Sequence, residues 1–163
     1  LITIIKSCIG ADDRLDFFEW LVGRIILRRL EARVGLKVPR PGTRPLAAVR
    51  EEARSVVCMV ARRGARTEEA AARAYVVGAE VIGAPNVPPD SSAITLKALG
   101  RALDVLGEAR PEVQVLVLRA CLQTAAMDGL IRTGEYQVIR AIADSLGLPM
   151  PPILPGAVQG TGG

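Results

Sequence analysis

Asp12, Glu19, Asp128 and Glu135 are the residues best placed to do chemistry. They fall on two similar turns, and oxygen donors so grouped are candidate ligands for a divalent cation. The spacing is not that of an EF-hand, whose loop is longer and denser in ligands. A plainer reading competes. Each Asp stabilises its turn, and each Glu caps the start of a helix.

Other chemistry is excluded by residue type. The 163-residue chain contains no His. It therefore supplies no H-E-x-x-H zinc site, no Ser-His or Cys-His pair and no His base. Cys8, Cys58 and Cys121 lie in apolar helical contexts and read as small buried thiols. Three cysteines make no disulfide framework, which favours a reducing compartment.

The elements around the second acidic turn are legible. Asp128-Gly129 suits a sharp reversal, because Gly tolerates positive φ and Asp can accept from backbone amides. Ile131 is the apolar peg, and Glu135 falls in the first turn of the next helix. The first turn matches it without gaps. Asp12 aligns with Asp128, Leu15 with Ile131, Glu19 with Glu135, and Trp20 with Tyr136. Arg24, Ile26 and Leu30 continue onto Arg140, Ile142 and Leu146. A single register through polar and apolar positions predicts a duplicated helix-turn-helix unit. Asp13 stands where the second copy has Gly129, so the two turns differ in backbone freedom.

Periodicity extends this to an all-α, single-domain bundle of about seven helices over residues 1–155, with a Gly-rich flexible tail at 156–163. Residues 2–10 read as the end of a helix, with Ile4, Ile5, Cys8 and Ile9 at core spacing. The next is capped by Asp16, stops at Gly35, and has Phe17, Leu21, Ile25, Ile26, Leu30 and Val34 inward. Leu46 opens a helix with Val49, Ala53, Val56, Val57 and Val60 facing in, ended by Gly64. Thr67 caps another that stops near Gly83. Ser91 or Ser92 caps a helix carrying Leu96, Leu99, Leu103 and Leu106 inward. Pro111 suits the first turn of the next. The last runs through Tyr136, Ile139, Ala143 and Leu146 to Gly147.

Two further features bear on partners. Arg24, Arg28, Arg29 and Arg33 line one side of a helix in a chain of net charge +4. A solvated face is the expected role, with an anionic membrane surface or acidic partner as the functional one. No aromatic stacking platform accompanies the arginines, so no nucleic-acid partner is expected. Phe17, Phe18 and Trp20 hold three of the five aromatics; three rings so close in sequence cannot all enter one core, so one can face a partner. No apolar run reaches the ~18 residues of a membrane span, and no signal peptide is visible. The chain starts at Leu1, inside an apolar run, which suggests a fragment of a longer polypeptide.

The repeated Asp-x-x-[Leu/Ile]-x-x-x-Glu-aromatic unit resembles the TerB-like (tellurite-resistance) helical module. The segment from Ala11 to Trp20 is also similar to the C-terminal region of bacterial membrane zinc metallopeptidases of the HtpX and CAAX prenyl protease type. So are Asp128-Gly129 through Glu135, Ile142-Ala143-Asp144-Ser145-Leu146-Gly147 and Pro149-Met150-Pro151-Pro152, the last being the most specific. The resemblance implies a non-catalytic, soluble C-terminal domain for interaction or regulation. Its own upstream membrane peptidase domain, or another protein, would be its partner, at the cytoplasmic face of the inner membrane. Zinc would sit in that peptidase domain, and no catalytic residue carries over to this chain. The alternative implied is a free-standing TerB-like stress-response domain that binds a divalent cation through Asp12, Glu19, Asp128 and Glu135.

Overall fold

The computed structural model describes residues 17–35, 42–90, 94–150 and 158–159. Six α-helices occur among them: α1 (Phe17–Arg33), α2 (Leu46–Gly64), α3 (Glu68–Val81), α4 (Leu96–Gly107), α5 (Pro111–Ala125) and α6 (Thr133–Leu146). The helix expected at residues 2–10 and the caps expected at Asp16, Ser91 and Ser92 lie outside the described residues. Two two-residue strands, β1 (Ile131–Arg132) and β2 (Val158–Gln159), pair in parallel, so two positions of the expected tail are held by backbone bonds.

Helix α2 is the centre. Val56 through Ala61 are six consecutive buried residues, so its second half is apolar around the whole circumference. Such a helix needs neighbours on every side, and α3, α4, α5 and α6 supply them. Helices α3 and α5 also pack on each other, while α1 packs mainly on α6. One contiguous core results, built from aliphatic residues with Phe17, Trp20 and Tyr75 as its rings.

Local signals set the helix ends. Thr67 Oγ1 accepts from the Ala70 amide at 3.2 Å, and Thr95 Oγ1 from Ala98 at 3.1 Å. Thr95 is thus the cap of α4, a correction to the serines expected a few residues earlier. Both threonines relieve amides that a helix start leaves unpaired. Pro111 opens α5, and Gly147 closes α6 at φ 72°, as a left-handed C-terminal residue does. The loop before α2 is tied to the end of α4. Thr43 and Arg44 amides donate to Glu108 O, and Arg110 N–H donates to Arg44 O. Gly42 permits this approach, because a Cβ there would overlap the Glu108 and Ala109 carbonyls.

Candidate functional site

The acidic elbow follows directly from the end of α5. Gly129 takes φ 82° and donates to Ala126 O at 2.9 Å. Asp128 Oδ1 accepts from the Leu130 amide at 3.1 Å, and Oδ2 from the Arg132 guanidinium at 2.7 Å. Glu135 Oε2 accepts from the Arg132 amide at 2.7 Å, with the Arg132 guanidinium 3.7 Å away. Ile131, the expected peg, is 6% exposed. Each expected local role of Asp128 and Glu135 is therefore occupied, one in the turn and one at the helix start.

Burial divides the two carboxylates. Asp128 is exposed, and its hydrogen bond from Arg132 holds it below its ordinary pKa. Glu135 is 6% exposed, and desolvation raises its pKa despite the Arg132 amide and guanidinium. Its Oε1 rests over Gly64 at the end of α2, where any Cβ would collide with it. A cation at this elbow would have to displace Arg132 from both partners. Glu19 is exposed on α1, and Asp12 lies outside the described residues. Among the described residues no three His, Cys, Asp or Glu side chains gather closely enough to hold a metal ion.

The arginine face of α1 is not a solvated face along its length. Arg24 has only 12% of its side chain exposed. It reaches Asp104 at 2.8 Å on α4 and Ser145 Oγ at 3.3 Å on α6, and lies 5.8 Å from the Trp20 ring centre. Arg29 pairs with Asp144 at 3.1 Å. Arg28 is half-buried, and desolvation followed by the Arg24 charge pulls its pKa down. The apolar residues expected inward are displaced in turn: Ile26 is 46% and Val34 59% exposed. Phe17 and Trp20 are both buried and stack 6.2 Å apart, so neither is a free docking ring.

Cys58 and Cys121 are buried free thiols, as their apolar contexts implied; Cys8 lies outside the described residues. Complete burial pushes the Cys121 thiol up to about 12, which suppresses the thiolate at neutral pH.

The concavity that sequence reasoning missed is a cleft of about 470 Å³ where three distant segments meet: the start of α1, the end of α2 and the approach to α4. Phe17, Met59 and Leu99 form its apolar floor, with Ile94 and Leu96 beside them. Arg62 and Arg63 supply its charged wall. The Arg63 guanidinium carbon lies 3.9 Å from the Phe17 ring centre, a close cation–π stack, and Arg62 pairs with Glu68 at 2.6 Å. The adjacent arginines were visible as a short basic cluster and the rings as an aromatic one. Only the tertiary crossing of α1 and α2 joins them. No family model, no curated protein and no solved structure matches the chain.

Proposed function

We propose that the chain is a non-catalytic interaction or regulatory domain belonging to a membrane-bound zinc metalloendopeptidase, as the resemblance of its acidic turns implies. The observation that supports this reading best is the closed set of contacts at the second elbow. Asp128, Arg132 and Glu135 bond to one another and to the backbone of the turn at 2.7–3.1 Å, so in this reading the acidic residues act as framework. Zinc and its catalytic base belong to the upstream peptidase domain, since a chain without His cannot provide H-E-x-x-H. No helix among the described residues is long and apolar enough to cross a membrane, so anchoring falls to that same upstream part in this reading.

The coding sequence upstream of Leu1 tests it. Several apolar spans accompanied by H-E-x-x-H are the expected result. A short polar leader without them would overturn the proposal in favour of a free-standing TerB-like domain. That alternative requires a divalent cation to release Arg132 from Asp128 and Glu135. Titration calorimetry with calcium and with zinc measures it: a saturable heat lost in Asp128→Ala would favour the cation, and no heat in the wild type would end that reading.

A further inference from the structure

The solvent side of α1 carries an order that the fold does not use. Val22 and Ile26 are exposed there, and Leu30 is half-buried. Glu19 stands seven residues before Ile26 and Arg33 seven residues after it. Seven residues make two helical turns to within ~20°, so all three positions share one face. At ~1.5 Å per residue the two charges lie ~10 Å from Ile26, in opposite directions along the axis. Val22 and Leu30 are likewise each four residues from Ile26. Glu19 and Arg33 are both exposed, and among the described residues neither is bonded to another side chain. We propose that this face docks a second copy of the chain, with the two α1 helices antiparallel about a two-fold axis at Ile26.

The residues on the face are complementary under that operation. Ile26 meets Ile26 of the second copy, Val22 meets Leu30, and Glu19 meets Arg33. Each unlike contact occurs twice, as an isologous interface requires. The aliphatic contacts remove exposed apolar area from water. The flanking ion pairs fix orientation, because parallel helices would set Glu19 on Glu19 and Arg33 on Arg33. Arg29 keeps its bond to Asp144 and falls opposite Gly23, which has no side chain to oppose it. A uniformly anionic partner, such as a bilayer, would attract Arg33 and repel Glu19. An interface one helix wide lies below the ~1,200 Å² of stable complexes, so the pairing is weak and dilute protein is monomeric.

Sedimentation velocity from low micromolar to submillimolar protein tests this. A reversible rise from monomer to dimer, weakened by salt, is expected. Glu19→Arg and Arg33→Glu each turn two attractions into two repulsions, and each alone should weaken the dimer roughly tenfold. An equimolar mixture of the two variants should associate again, because both cross pairs are then of opposite charge. Ile26→Ser should weaken the dimer by a similar factor, with the thermal melt of dilute protein unmoved, and remains informative if a charge variant folds poorly. A chain that stays monomeric throughout, whether or not it binds phosphatidylserine vesicles, would overturn the proposal. So would unchanged association in Ile26→Ser, or folded charge variants that do not recombine. None of these outcomes bears on the coding sequence upstream of Leu1, so this inference and the domain assignment fail separately.

Discussion

Helices α1 and α6 pack against each other and carry matching residues at aligned positions, yet they bury opposite sets. On α1, Trp20 is 5% exposed and Arg24 is inserted between helices, while Ile26 is 46% exposed and Leu30 only half-buried. On α6 the pattern reverses. Tyr136 is half-buried and Arg140 exposed, while Ile142 is fully buried and Leu146 is 4% exposed. Glu19 is exposed and Glu135 buried. The cause lies in the neighbours. Helix α6 touches α1, α2, α4 and α5, whereas α1 rests mainly on α6. A repeated apolar pattern specifies that a helix will form and have an inner face. Which residues that face contains is decided by where the partners stand.

The largest expected effect comes from testing the two isoleucines. Ile142→Ala should destabilise the fold by about 2–5 kcal/mol, the cost of removing buried methyl groups and leaving a cavity. Ile26→Ala should cost less than about 0.5 kcal/mol, as an exposed substitution does. Urea unfolding of both variants measures this. Equal losses would mean that the two helices are packed alike and would break the comparison.

The arginines sharpen the same contrast at smaller magnitude. Arg24→Ala removes charged hydrogen bonds to Asp104 and Ser145, and uncovers part of Trp20. A loss of about 1–2 kcal/mol is expected, discounted for the exposure of Asp104, together with a red shift of tryptophan emission. Arg140→Ala, at the aligned exposed position, should change stability by less than about 0.5 kcal/mol and leave the emission unmoved.

Sequence reading recovered the helical class, the turn at Asp128-Gly129 and most helix ends, because these depend on local chemistry. Thr67, Pro111 and Gly147 act through bonds or dihedrals within a few residues of themselves. The inner face of α2 was legible for a related reason. With the helix central, nearly every apolar position there had to be buried. The face of α1 was not legible. Val22, Ile26 and Val34 form as good an apolar stripe as the one used, and only the placement of α4 and α6 selects Arg24 instead. The cleft was hidden more completely, since Phe17, Arg63 and Leu99 come from three segments far apart in the chain. Of the four proposed carboxylate ligands, Asp128 and Glu135 are adjacent through Arg132, as their spacing allowed. Glu19 does not join them in any group of three potential ligands among the described residues.

The smallest expected effect is a pH dependence that separates Glu135 from Asp128. Desolvation raises the Glu135 pKa from 4.5, so the folded state takes up its proton at a higher pH than the unfolded state. Stability then falls as pH rises through the folded pKa, and the contribution is fully present below the unfolded value. Asp128 has the opposite sign. Arg132 lowers its pKa from 3.8, so its contribution is present above that value and lost as pH falls through the folded pKa. Acidification from neutrality to pH 4.5 therefore titrates mainly the Glu135 contribution. Glu135→Gln keeps an oxygen to accept from the Arg132 amide and keeps the bulk over Gly64, but cannot take up a proton. Denaturant unfolding at the two pH values should show the variant losing more stability on acidification than the wild type. Parallel profiles for Glu135→Gln and wild type would place the Glu135 carboxylate in water and remove the electrostatic half of the contrast between the two helices.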